Sequence, residues 1–399
     1  MKKLLILSCV CSLLVACNNT PQEQPKPKEN LQDKPKVNLP IKESNISVDK
    51  EKTESTLNEQ LLEASERGNL EKVKELLSAG AEVDARNRDD STALMIAAGE
   101  GYLEIVKILL EKGADINACD AVESTALKNA TWNGHIETVK LLLTEGADIN
   151  AASYMGDTPL YVAAEKNFIE IVKLLLSAGA NINIKNEGDG TALSAAASAG
   201  NIEIVKLLLE AGADINEALL TAAERHNIEI VKLFFDMKSD NNAALLLAVN
   251  KGDNKEVKEL LLQKDAVDIK RYGGVALIWA AEQGNIEAVE LLIKAGADKD
   301  KVTFIEENAL IKASEEGHKE IVKILLDEGA FPGIIYRGKG KSPLIIAASN
   351  GNIEIVKMLL GAGANVNEKN WYGETALNKA KKKGHTEIAD LLKAAGAKE

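Results

Sequence analysis

Apolar and polar positions along this chain follow one pattern that returns many times at a nearly constant interval. Copies open with phrases such as Thr92-Ala-Leu-Met-Ile-Ala-Ala, Thr158-Pro-Leu-Tyr-Val-Ala-Ala and Thr191-Ala-Leu-Ser-Ala-Ala-Ala. A variant of Asn-Ile-Glu-Ile-Val-Lys-Leu-Leu-Leu follows, then Ala-Gly-Ala-Asp-Ile-Asn. The Leu of the opening phrase recurs as Leu61, Leu94, Leu127, Leu160, Leu193, Leu219, Leu245, Leu277, Leu310, Leu344 and Leu377, which makes eleven copies. Subtracting consecutive numbers in that series gives steps of 33, 33, 33, 33, 26, 26, 32, 33, 34 and 33.

Each copy predicts two short helices. Thr or Ser caps the first, with Pro at its first helical position in Thr158-Pro159 and Ser342-Pro343. Paired alanines (Ala97-Ala98, Ala163-Ala164, Ala280-Ala281) let neighbouring helices approach closely, and Gly101, Gly134, Gly200, Gly284 and Gly351 end the helix in a left-handed turn. Asn201, Asn285 and Asn352 are expected to cap the second helix, where Val205, Leu208 and Leu209 at i, i+3 and i+4 form one apolar face. The fold class is all-α, an array in which each copy buries its apolar face only on its neighbours. The last copy, Leu377 to His385, has the polar composition that a terminal repeat needs.

These residues resemble the ankyrin repeat, whose pattern is Thr-Pro-Leu-His-x-Ala-Ala-x-x-Gly-His, an Ile-Val-x-x-Leu-Leu helix and Gly-Ala-Asp-x-Asn. The resemblance covers residues 57–399, ~86% of the chain. It implies a solenoid of about eleven helix–turn–helix repeats with a β-hairpin finger at each junction. The chain departs from the pattern in three ways. Thr-Pro is mostly Thr-Ala, and the His after the Leu is replaced by Met95, Lys128, Tyr161, Ser194 and others. Two junctions are seven residues short, where Asn216 runs into Glu217-Ala218-Leu219 and where Phe235-Asp236-Met237 lacks Gly-Ala-Asp. The solenoid is therefore expected to be fingerless and kinked near 215–243, with its weakest interface there.

Ahead of the repeats, Met1-Lys2-Lys3 and the twelve apolar-rich residues Leu4–Val15 have the size and charge of a signal peptide. Leu14-Val15-Ala16-Cys17 resembles the lipobox of bacterial lipoproteins, which implies a signal over 1–16 and lipidation, with palmitate among the acyl chains, at Cys17. Residues 17–56 turn to Pro, Lys, Glu, Asn and Gln, too poor in apolar groups to order, and read as a disordered tether. The expected location is the bacterial cell envelope, anchored to a membrane by lipid and facing the periplasm or the cell surface. Of the four Cys, only Cys119 would remain as a free thiol, so no internal disulfide staples the fold.

Composition narrows the function. Hydrophobic residues make up 45% of the chain but aromatic ones only 4%, so Ala, Leu and Ile do the filling. The net charge of −13, with no basic block, disfavours nucleic acid, and no apolar run reaches the ~20 residues of a membrane span. Loss of Lys2 and Lys3 with the signal takes the charge to −13 − 2 = −15. Arg337-Gly-Lys-Gly-Lys-Ser342 resembles the tail of a phosphate loop, but Ile335 stands where its first Gly is needed and the register makes Ser342 a helix cap. His135, His226, His318 and His385 lie at or beside the interhelix turns, a repeat or more apart, and offer no metal site. Glu104, Glu170, Glu203, Glu229 and Glu354 recur by repeat at a solvated position and form no dyad. The chain is expected to be a non-enzyme without cofactor, metal or small-molecule substrate.

Binding to a protein is the better reading. In the family resembled, finger tips and the positions after Ala-Ala vary freely along a concave surface. Those slots hold Tyr154 and Met155, Phe304 and Ile305, Tyr336, Trp371 and Tyr372, with Trp132 after a first helix. Tyr, Trp, Phe and Met are the types enriched at interface hot spots. Arg337 and Lys339 join Tyr336 in a basic, aromatic C-terminal cluster. Trp279 sits in a core slot before Ala280-Ala281, and Cys119 is read as a simple exposed thiol. The expectation is a monomeric, membrane-anchored interaction module. Alternatives are an immunity or inhibitor protein that masks an envelope partner, an enzyme-support protein, and a structural spacer.

Overall fold

The computed structural model describes residues 56–263, 265–333 and 341–398. Cys17 with the expected signal and tether, and Tyr336, Arg337 and Lys339, lie outside the described residues. The described residues form 22 helices and no strand. The first helices of successive pairs are 56–66 (α1), Ala93–Glu100 (α3), Ala126–Trp132 (α5), Pro159–Glu165 (α7), Ala192–Ala199 (α9), Asn216–Glu224 (α11), Asn241–Lys251 (α13), Ile269–Glu282 (α15), Ala309–Glu316 (α17), Pro343–Asn350 (α19) and Ala376–Lys383 (α21). The second helices are Leu70–Ser78 (α2), Leu103–Glu111 (α4), Ile136–Thr144 (α6), Ile169–Ser177 (α8), Ile202–Glu210 (α10), Ile228–Lys238 (α12), Asn254–Leu262 (α14), Ile286–Lys294 (α16), Lys319–Asp327 (α18), Ile353–Gly361 (α20) and Thr386–Ala394 (α22). From α3 on, each first helix packs on its own second helix, and first helices pack on first helices except between α11 and α13, where α12 packs on α13 and α11 on α15.

The capping logic of the first helices is realised. Thr92, Thr125, Thr158, Thr191, Ser342 and Thr375 accept hydrogen bonds from the amide three residues on, and Asn308 does the same at α17. Their side chains are buried at the seam between repeats, where each satisfies one of the helix's unpaired first-turn amides. Ala97-Ala98, Ala163-Ala164 and Ala280-Ala281 are fully buried, which is how helices this short approach closely. Ile204, Val205, Leu208 and Leu209 bury the apolar face of α10, and each such side chain contributes roughly 1.5–3 kcal/mol.

The second helices differ from expectation. Asn285 caps α16 by accepting from Ala288 N, but Asn201 and Asn352 make no cap. The Asn201 amide instead donates backward to the carbonyl of Ala164, 2.8 Å away in the preceding repeat. His135, His318 and His385 do likewise: each Nε2 lies 3.0–3.1 Å from a carbonyl of the preceding repeat, which requires the proton on Nε2. Their rings fill the space above the preceding interhelix glycine. A Cβ on Gly101 would lie 2.5 Å from the His135 ring, and its φ of +76° already excludes most side chains. These positions therefore serve cohesion between repeats.

A second stitch runs through the polar turns. The Oδ1 atoms of Asp84, Asn117, Asn150, Asn183, Asp300 and Asn367 each accept from a backbone amide 31 residues on, at 2.7–3.0 Å. The Asn of the Ala-Asp-x-Asn phrase is thus the rivet between one repeat and the next.

At the two short junctions the chain passes from α10 to α11 and from α12 to α13 with no loop to spare; only Ser239 and Asp240 separate the latter pair. A third junction also lacks a loop. The step from Leu245 to Leu277 looks regular, but there α15 has grown to 14 residues and occupies the length a finger would use. Gly273 and Gly274 permit this: a Cβ on Gly274 would meet Lys301 Cβ at 2.5 Å, and one on Gly273 would meet Ala297 Cβ at 3.1 Å.

The expected weak interface is bridged. Helix α15 reaches past the α13–α14 pair to α11. Tyr272 Oη donates to Asn216 O at 2.9 Å and Trp279 Nε1 donates to Ala223 O at 3.2 Å. His226 stacks on Trp279 with ring centres 4.4 Å apart, and its Nδ1 lies 3.0 Å from Glu282. Arg271 pairs with Glu217 at 2.7 Å, and Lys301 reaches the buried Glu224 at 2.8 Å. Burial pushes the Tyr272 phenol up to about 12, so it stays a donor at any physiological pH. Trp279 is 2% exposed, a core residue as its slot suggested.

This bridge makes a test. Trp279→Ala removes a filled core position and the donor to Ala223, and should cost about 3–5 kcal/mol. It should also uncouple the two sides, so that denaturant unfolding shows two transitions by circular dichroism. One shifted, cooperative transition would mean that the coupling is carried elsewhere.

Candidate functional site

The loops joining complete repeats share one construction. In the loop from Asn87 to Ser91, Asn87 N donates to Ser91 O while its Oδ1 accepts from the amides of Asp89 and Ser91. Asp120, Asn186 and Asn370 repeat this arrangement. Ser153 and Thr303 close the same turn through backbone bonds to Asp157 and Glu307. The fourth residue, which is Asp90, Glu123, Gly156, Asp189, Glu306 or Gly373, is left-handed, with φ between +58° and +78°. Asn, Asp and Gly at these places supply the side-chain acceptor and the tolerance for positive φ that the turn demands. Among the described residues, single antiparallel bridges at Arg86–Thr92 and Cys119–Thr125 stand where full β-hairpins were expected.

Such a turn leaves two residues at its tip. They are Tyr154 and Met155 in one loop, Phe304 and Ile305 in another, and Trp371 and Tyr372 in a third. All six are exposed, from 41% at Ile305 to 87% at Tyr372. Val122 occupies the same tip position and is 59% exposed. Val122 was not among the residues expected at the tips, although its register marks it. Loop tips also touch: Ala121 N donates to Asp89 O, Tyr154 N to Val122 O and Glu187 N to Met155 O, at 3.0–3.2 Å. Gly156 allows that approach, since a Cβ there would lie 2.7 Å from Asn186 Cα.

The remaining candidates are held differently. Trp132 is half exposed at the end of α5 and carries the Lys166 ammonium 3.7 Å above its ring. Trp371 combines both readings of the aromatic tips. It is 56% exposed, yet its Nε1 donates to Glu306 at 3.0 Å, in the loop that presents Phe304 and Ile305. Cys119 is exposed at the base of its loop. Ser342 caps α19 and Lys341 pairs with Glu307 at 2.8 Å, so Lys341-Ser342 leads into a helix.

Glu307 anchors a small charge chain beneath the Phe304 tip. Lys312 lies 3.1 Å from it and 3.0 Å from Glu282. Burial alone would raise the Glu307 carboxyl, but hydrogen bonds from Lys341 and Lys312 outweigh it and hold the group below the usual range. For Lys312, burial is likewise outweighed by its bonds to Glu282 and Glu307, which hold the ammonium above its ordinary value. These charges fix the loop and leave no poised acid or base. Among the described residues, no three His, Cys, Asp or Glu side chains gather as a metal site, and no helix is long and apolar enough to cross a membrane.

No curated protein matches the chain. A family model described as "Ankyrin repeats (3 copies)" matches residues 61–153, 151–218, 219–303 and 310–398, running through the loop-poor segment as well as the regular repeats. Helix pairs of this size and the Thr and Asn seams between them agree with that match. The chain belongs to the ankyrin-repeat family, whose repeats are a protein–protein interaction module.

Proposed function

We propose that this protein is a membrane-anchored interaction module of a bacterial envelope, which binds a protein partner through its loop tips. The observation that carries the reading is the placement of Tyr154, Met155, Phe304, Ile305, Trp371 and Tyr372 at the exposed tips of self-closed turns. A turn closed by its own hydrogen bonds loses little freedom on binding, so apolar contact at the tip is not offset by ordering. Arg337 and Lys339, beside Tyr336 in the sequence, would add cations to the partner's contact, although they lie outside the described residues. Support for the anchor is the Leu14-Val15-Ala16-Cys17 phrase after a positive start and an apolar stretch. A Pro- and Lys-rich tether of ~39 residues would let the repeats search roughly 35 Å as a coil.

Tyr372→Ala and Tyr154→Ala remove exposed rings that make no ring contact or side-chain hydrogen bond within the described residues, so the fold should keep its circular dichroism spectrum and melting temperature. Each should weaken a partner identified by crosslinking in the envelope by about 2 kcal/mol. Wild-type affinity in both would move the site off the tips. For the anchor, Cys17→Ser should shift the protein from the detergent phase to the aqueous phase on phase separation, because stable attachment needs two or more acyl chains. Unchanged partitioning would refute lipidation.

A further inference from the structure

The loop ladder breaks in the middle of the chain. Each rung runs from the first tip amide of one loop to the second tip carbonyl of the loop before: 121 to 89, 154 to 122, 187 to 155. By that rule the next acceptor is Gly188 O, and the next loop built on the same turn offers Phe304 N. Neither atom makes a hydrogen bond among the described residues. The three junctions between them have no loop to fill the rung, and Gly188 and Phe304 line one cavity of 280 Å³. Its floor includes Ser198 at the end of α9, and Thr221 and Arg225 at α11.

The charges around this notch are unequal. Glu217 is neutralised by Arg271 at 2.7 Å and by Lys185 at 3.5 Å, and Lys185 also reaches Asp189 at 3.8 Å. Arg225 is exposed and has no carboxylate or side-chain hydrogen bond among the described residues. The notch thus offers one backbone acceptor, one backbone donor and one unpaired guanidinium, in a chain whose net charge is −13. An extended peptide supplies a donor and an acceptor at each residue, so it can complete a rung that folded surfaces cannot enter. A guanidinium selects a carboxylate. The acidic field of the whole domain disfavours an acidic block, so a single acidic residue in an otherwise neutral or basic segment fits best.

We propose that this notch receives an extended segment of a protein partner, which bonds through its backbone to Gly188 O and Phe304 N and presents one Asp or Glu to Arg225. The inference rests on the reading of the chain as a protein-binding module, and it names the partner's chemistry.

The test uses the full chain and short linear peptides selected from a phage-displayed library. Selected peptides should share one acidic position, and replacing it with Ala should weaken binding about tenfold or more by fluorescence anisotropy. Arg225→Glu should give a loss of similar size, while Ser198→Trp, which fills the cavity, should abolish binding. N-methylation of one peptide amide should cost about tenfold, and Tyr372→Ala should have no effect. Peptides that bind Arg225→Glu and Ser198→Trp as they bind the wild type overturn the proposal, as does a selection that enriches none. If the crosslinked partner is lost with Tyr154→Ala and Tyr372→Ala but kept with both notch variants, the notch fails while the binding-module reading stands. If it is kept with all four, both fail.

Discussion

A pair of helices only eight or nine residues long cannot hide its own apolar stripe, and everything else in this fold answers to that constraint. Burial happens only between neighbours, so the chain needs devices that hold neighbours in register. It uses three. Alanine pairs bring first helices into close contact, His or Asn side chains reach back to carbonyls of the previous repeat, and Asp or Asn side chains reach forward to an amide 31 residues on. Each hydrogen bond contributes on the order of 1 kcal/mol, but they recur at nearly every seam. With them in place, most tip side chains are free of structural duty.

That division of labour connects stability to function. The turn-forming residue of each loop, Asn87, Asp120, Asn186 or Asn370, folds the loop on itself, and tip amides bond to the loop before. Rigidity therefore reaches to the tips while consuming few tip side chains, Trp371 among them. Where the loops stop, from Asn216 to Glu282, cohesion has to come from elsewhere. The answer is α15, which is lengthened and carries a Tyr272–Trp279 pair that grips α11 directly. Loss of three loops both created a gap in the ladder and required the grip that now forms beside it.

Much of this was legible in the residue pattern, because the pattern is local. Thr before the Leu, Gly between helices and apolar residues at i, i+3 and i+4 act within one turn of chain, so helix positions and first-helix caps could be read directly, whereas the tip slots of Tyr154, Phe304 and Trp371 came from the resemblance to the ankyrin repeat. Trp279 was legible as core, since its slot before Ala280-Ala281 is buried in any copy. The misreadings concern partners. Asn201 has the composition of a cap but donates to Ala164, and the ordinary spacing of Leu245 and Leu277 conceals a helix where a loop was expected. Count and composition do not distinguish added helical turns from a finger of equal length.

What only the tertiary structure decided has one physical cause, distance along the chain. Asn216 and Tyr272, or Ala223 and Trp279, are 56 residues apart and meet across an intervening repeat. No repeat periodicity marks such a pair. Whether His226 would stack on an indole, whether Glu224 would be buried against Lys301, and which loop would face Gly188 were all set by how the short junctions close. The sequence by itself determined a helical repeat array, because the capping groups and apolar stripes that define it lie within one copy. The bridge and the notch depend on contacts that exist only once the repeats have packed.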